Sequence, residues 1–412
     1  MNTAARPVQV VLSAILLTLV VFLTTQVTER NGGYDSDGLI YGRMALSPPF
    51  ECSAAPAPFC QRVLTPLIVS LLPGDPLNRF RWVAFVSSVL SLCTFYGILR
   101  QVGHSIAMSH LGVLFYAGVF WTLKFSFYSP AYIDHVSQLL LLLTIYTTIS
   151  GHTALAVGLL CLSAFQKESL PLFSLFVAAD WWHQRHRRSI VRPLLAVMAT
   201  IGLPVACSLL ARHLAPVDGQ AAISVLLGEA KRFLRPVFWS IFIQAIFSGL
   251  GLLPVLLLVQ YRPTLEFLRQ RPAFIVYLLL AAAALLGGCD KSRLFNYSLP
   301  VVVVLALETV RSLRAANQAR AVVWVACFLC AHWYLGNYLT PLGAFSDYRA
   351  KLVPEHANWR GDGSRMPFLI RDCIVGLILF AGTIQVMIGE WCFRPSIGFT
   401  RRRAGLCAAP RG

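Results

Sequence analysis

Long apolar stretches alternate with short polar breaks from one end of this chain to the other. Apolar runs cover residues 8–27, 82–99, 107–128, 136–150, 152–165, 170–182, 193–211, 238–259, 273–288, 299–310, 321–339 and 367–391. A helix needs about 20 apolar residues to cross the hydrocarbon core of a bilayer, and many of these runs approach that length. The pattern predicts an all-α protein, a polytopic transmembrane helical bundle that fills residues 1–412 as one membrane domain. The three runs between 136 and 182 are shorter than a comfortable span. Three crossings there give about 12 spans; one crossing plus a re-entrant pair gives about 10, with the same downstream orientation. "TTQVTERNGG" after the first run lacks a small-x-small cleavage site, so an uncleaved first span is expected rather than a removed signal peptide.

Composition agrees. The chain is 57% hydrophobic and only 13% charged, where a soluble protein carries about 25%. A net charge of +17 raises nucleic acid as a partner, but the placement of the charges argues against it. With a cytoplasmic N-terminus, the cytoplasmic segments include "HQRHRRSIVR", "YRPTLEFLRQRP", "RSLRAANQAR" and the tail "FRPSIGFTRRRAG". They hold about as many Lys and Arg as the outer segments in roughly half the length, which sets the orientation. Both termini are then cytoplasmic, and the three longest hydrophilic stretches, 28–81, 212–237 and 340–366, face outward. "RRR" at 401–403 reads as attraction to anionic membrane lipid.

The short basic loops leave no room for a nucleotide-binding domain, and neither a Walker sequence nor a dinucleotide fingerprint occurs. Chemistry would belong at the outer membrane-water boundary, driven by the substrate itself or by an ion gradient. Cys327 and Cys330 have CxxC spacing within an apolar run, which reads as packing. Cys52 and Cys60 share the first outer loop, where an oxidising compartment would permit a disulfide.

That loop opens with "NGGYDSDGLIYGRMA". In an extended, glycine-flanked segment Asp35 and Asp37 would point to the same side and could meet one substrate or one cation. Paired carboxylates suit a hard ion such as Mg²⁺ or Mn²⁺, or one of them can serve as a general base. The plainer reading is a solvated loop with Asx-turns.

The residues after the pair extend the pattern. Asp35, Asp37, Tyr41, Met44 and Ala45 precede "PFCQRVLTP", with Pro58, Phe59, Arg62, Leu64 and Pro66. Over residues 31–73 this constellation resembles the first outer loop of bacterial membrane glycosyltransferases of the GT-C fold. The resemblance implies a polyprenyl-phosphate-linked sugar as donor, a glycan or lipid acceptor, and the bacterial inner membrane as the location. Phosphate recognition calls for Arg or Lys. Arg293 and Lys167 are the first choices, with Lys291 and Arg62 behind them. They belong to "FQKES" (Lys167, Glu168) and "GGCDKSRLF" (Asp290, Lys291, Arg293), clusters expected where spans emerge on the outer side.

Other polar residues have ordinary expectations. Asp134 in "SPAYIDH" suits a helix N-cap. Lys124 is expected to snorkel to the outer headgroups, and Trp121, Phe125, Phe127, Tyr128 and Tyr132 to form an interfacial aromatic belt. Residues 219–240 suit an amphipathic helix on the membrane surface. The rival classes are a secondary transporter or lipid flippase, and a non-catalytic subunit of a polysaccharide pathway. A carrier would keep its polar groups near the midplane, often on broken helices.

Overall fold

The computed structural model describes residues 7–51, 55, 58–185, 191–215, 249–251, 253–259, 261–285, 291–313, 317–323 and a few single positions. Its regular elements among these residues are all helical. They are α1 (Pro7–Thr24), α2 (Ser36–Met44), α3 (Leu64–Ser70), α4 (Pro76–Val102), α5 (Ile106–Gly118), α6 (Leu123–Tyr128), α7 (Asp134–Ile149) and α8 (Thr153–Ser163). After them come α9 (Ser174–Arg185), α10 (Val191–Leu214), α11 (Leu253–Val259), α12 (Tyr261–Gln270), α13 (Ala273–Ala284), α14 (Lys291–Phe295) and α15 (Leu299–Ser312). The outer stretch 340–366 and the run 367–391 lie outside the described residues, as do most of 219–240 and Cys52.

Among the described residues, three helices are long and apolar enough to cross a membrane: Pro7–Thr24, Pro76–Val102 and Leu195–Leu214. α1 buries only Ala14, Thr18 and Val21, leaving Leu12, Leu16, Leu19 and Leu23 exposed. α4, about 40 Å long at 1.5 Å per residue, starts earlier than hydropathy suggests. Asp75 accepts a capping bond from Asn78 N at 3.2 Å and Pro76 occupies the first turn, where its missing N–H is harmless. Gly103, at φ 104°, ends it, and the Ser105 hydroxyl caps α5 through Met108 N.

Most other expected spans are present as shorter helices. The run 107–128 is not one helix: α5 stops at Gly118 and α6 begins at Leu123. The broken backbone is satisfied inside the bundle, where Trp121 O accepts from Gln138 Nε2 and Asn296 Nδ2, both at 3.0 Å. α6 turns inward, so Trp121, Phe125, Phe127 and Tyr132 are buried in the interior and form no interfacial belt, while Tyr128 is half-buried. Lys124 is 4% exposed, so it does not snorkel. "YRPTLEFLRQ", expected as a loop, is helix α12, set at 108° to α13.

α15 is apolar on every side from Leu299 to Leu307 and all of that stretch is buried, which makes it the central core helix. α5 packs closely on it at Gly112, where a Cβ would stand 2.7 Å from Leu307 and 2.6 Å from Leu99. Asp134, opening α7, bonds Lys167, which follows α8, so these two helices form an antiparallel hairpin. At the far end His104 Nδ1 lies 3.7 Å from Glu308, and Arg271 donates to Val102 O. Among the described residues the ion pairs thus gather at two opposite ends of the bundle.

Candidate functional site

The described residues between Thr28 and Asp75 form a folded cap on one of these ends. Thr28 N donates to Tyr128 O at 2.8 Å, Leu64 N to Phe165 O at 3.0 Å, and Gln61 Nε2 to Ala215 O at 3.0 Å. Beneath it Tyr41, Met44, Val63, Val69 and Phe80 pack against Ala131, Ile133, Val136 and Leu140. α2 sits close to the α6–α7 turn because residue 38 is glycine, whose Cβ would stand 3.1 Å from Ala131 Cβ.

The two acids do not lie in one extended strand. Asn31, Gly32, Gly33 and Asp35 all have positive φ, and the chain then enters α2 with Asp37 in its first turn. Asn31 Nδ2 donates to Asp35 O at 2.9 Å and holds that turn. The Asp35 carboxylate accepts from Ser129 Oγ at 3.3 Å, whereas Asp37 Oδ2 lies 3.6 Å from Arg293 Nη2.

Arg293, on α14, links the cap to the bundle. Its Nη1 stands 3.7 Å from Asp134 Oδ2, and its guanidinium lies 5.0 Å from the centre of the Tyr132 ring. The other Asp134 oxygen accepts from Lys167 Nζ at 3.1 Å, and Lys167 in turn sits 5.1 Å over the Tyr297 ring. Asp134 is therefore the hub of a buried ion network; its side chain makes no capping bond. Burial pushes its carboxyl up, but Lys167 and then Arg293 outweigh this and hold it at about 2. Burial likewise disfavours the Lys167 ammonium, and Asp134 more than restores it, so its pKa is raised.

A second pair stands beside the first. Arg62 Nε donates to Glu168 Oε2 at 2.9 Å, Nη2 donates to Oε1, and Nη1 donates to the Tyr41 hydroxyl at 3.0 Å. Tyr41 is 1% exposed, so it supports Arg62 from below. Burial raises the Glu168 carboxyl, and Arg62 overcomes this to hold it at about 2. For Arg62 burial works against the charge, but Tyr41 and Glu168 together keep its pKa above the ordinary value.

Cap, hairpin and α14 thus bring Asp35, Asp37, Tyr41, Arg62, Lys167, Glu168 and Arg293 to one end. Asp290 lies outside the described residues, and only the backbone of Lys291 is described. Three contributors gave little signal. Tyr132 passed for a belt residue, and Ser129 and Gln166 carry no motif. Gln166 ties the loop after α8 to Ile133 O at 2.7 Å, to Ser137 Oγ, and to Thr65 Oγ1 at 2.9 Å. Only tertiary contact reveals these roles.

Asp35 and Asp37 fit a divalent ion poorly. Mg²⁺ requires near-octahedral oxygen ligation, while Asp37 faces a guanidinium and Asp35 a hydroxyl donor. Among the described residues no three His, Cys, Asp or Glu groups converge as a metal site. No protein-family model matches the chain, and no curated protein is significantly similar to it.

Proposed function

We propose that this chain is an integral-membrane glycosyltransferase with a GT-C-like bundle. It would transfer a sugar from a polyprenyl-phosphate-linked donor to an acceptor hydroxyl on a glycan or lipid. The location is the bacterial inner membrane, with the site facing the periplasm. One observation carries the reading: Asp37 of the first-loop cap, two residues from Asp35, meets Arg293, which also faces the Asp134–Lys167 pair, at a single end of the bundle.

In this mechanism the lipid tail lies between helices and the donor phosphate at Arg293, the more exposed cation, with side-chain exposure of 17% against 7% for Lys167. Lys167 keeps Asp134 in place. Asp35 orients and deprotonates the acceptor hydroxyl, which attacks the anomeric carbon as the bond to the phosphate oxygen breaks. The transition state resembles an oxocarbenium ion, as in glycoside hydrolysis. The guanidinium stabilises charge developing on the leaving phosphate, where such a group helps most.

A carrier is the second reading. Charge concentrated at the ends of the bundle favours surface chemistry over passage through it. Purified protein incubated with radiolabelled polyprenyl-phosphate sugar and mixed cell-envelope acceptors tests the choice. Label appearing in product, and lost with Asp35→Asn, supports the transferase; label moved across a vesicle without bond cleavage supports the carrier.

A further inference from the structure

Two carboxylates flank the Arg293 guanidinium, at 3.6 Å for Asp37 and 3.7 Å for Asp134, both beyond ordinary hydrogen-bond length. They differ in how firmly they are held. Asp134 is 7% exposed in its side chain and bonded to Lys167, so its departure would strand a buried ammonium. Asp37 is 30% exposed and sits at the start of α2, directly after the run of left-handed backbone at Asn31, Gly32, Gly33 and Asp35. The Tyr132 ring meanwhile holds the guanidinium from one face.

We propose that Asp37 is an internal stand-in for a phosphate ester: it occupies Arg293 until such an ester displaces it, and the exchange releases the Asp37 carboxylate. A guanidinium fork matches phosphate oxygens in a bidentate way, adding hydrogen bonds that the more distant carboxylate does not make. Among the described residues, Asp37 and Asp134 are the carboxylates that face Lys167 and Arg293 before the exchange. Afterwards the ester supplies the negative charge that Asp37 gave up, so Arg293 is not left unbalanced in either state. Binding and release are thereby coupled. Asp37 becomes available beside the bound ester, next to Asp35, only when the ester is present. Competition from Asp37 scales the apparent affinity for the ester down to the fraction of time that Asp37 leaves Arg293 open. The proposal rests on the transferase reading only for the identity of the ester, and it is tested without any transfer step.

The experiment measures binding of geranylgeranyl phosphate and of inorganic phosphate to the full-length protein in nanodiscs by titration calorimetry. Asp37→Asn removes the competing charge at nearly constant size, and binding should tighten roughly tenfold. Asp37→Glu keeps the charge and should bind close to wild type, which separates competition from damage to the fold. Tighter binding of both probes assigns recognition to the phosphate group itself. Tighter binding of the isoprenyl ester alone assigns it to the lipid-linked form. Either result supports the exchange. Equal or weaker binding of both probes by Asp37→Asn overturns it. A wild-type protein that transfers no sugar, yet gains affinity on Asp37→Asn, would remove the transferase reading and leave the exchange standing.

Discussion

Arg62 and Glu168 are 106 residues apart in the chain and meet through two parallel hydrogen bonds, with Tyr41 taking a third donor of the same guanidinium. The clamp fastens the first-loop cap to the loop after α8. Removing one partner of a buried pair costs about 3–5 kcal/mol. A third of the Glu168 side chain is open to solvent, and water damps its share. Arg62→Met should therefore cost about 2 kcal/mol, and Tyr41→Phe about 1 kcal/mol for one hydrogen bond. Thermal melting in detergent measures both, and an unchanged midpoint for Arg62→Met would mean that the clamp contributes nothing.

Lys167 and Arg293 should separate in their effects. Lys167→Ala leaves the buried Asp134 carboxylate short of its closest partner and should lower stability by about 3 kcal/mol. Arg293→Ala should instead weaken donor binding at least about tenfold, the worth of one charge-assisted contact, with a smaller change in melting. The opposite pattern, with stability lost at Arg293 and donor affinity at Lys167, would exchange the two roles.

Acid should loosen the cap at a pH set by the carboxylates. Asp134 and Glu168 are both held at about 2, below their ordinary values of 3.8 and 4.5. A depressed carboxyl stabilises the fold above its unfolded pKa, and that stability fades as pH falls through the folded value. Melting temperature should therefore be level from pH 5 upward as far as these groups are concerned, then fall between about pH 4 and pH 2. In Asp134→Asn/Glu168→Gln the fall across that window should be shallower; an equally steep fall would assign it to other groups.

The two ends of α4 should lie on opposite sides of the membrane. Ser36→Cys, in the cap, should react with an impermeant maleimide on intact spheroplasts of cysteine-free protein. Gln101→Cys, exposed near the other end of α4, should react only after permeabilisation. Labelling of both from outside would remove the orientation on which the site rests.

Much of the bundle could be read from hydropathy alone, because burial and lipid both select for apolar runs. α1, α7, α8, α10 and α15 begin and end within a few residues of their runs. Hydropathy is blind to a break whose polar groups are satisfied inside, which is why α5 and α6 read as one span although Gln138 and Asn296 bond Trp121 O between them. It also missed α12, whose mixed faces average to a loop. The candidate residues were visible as charges in apolar surroundings, but their pairings were not. Asp134 looked like a cap because helix starts favour acids, and only packing brought Lys167 and Arg293 to it from distant segments.

If the chain is the transferase proposed above, its sugar transfer should depend on the cap acids above all. Turnover of a radiolabelled polyprenyl-phosphate sugar by wild type, Asp35→Asn, Asp37→Asn and the double variant tests this directly, in the same preparations used for melting and for donor binding. Both acids are partly exposed, so loss of their charge should cost little stability. Loss of a general base costs about 10²–10⁴ in rate. Asp35→Asn should therefore abolish measurable transfer while the protein still folds and binds donor, Asp37→Asn should lose as much or less, and a chelator should leave wild type active. Near-normal transfer by Asp35→Asn/Asp37→Asn would contradict a catalytic role for the cap and leave the carrier as the better description.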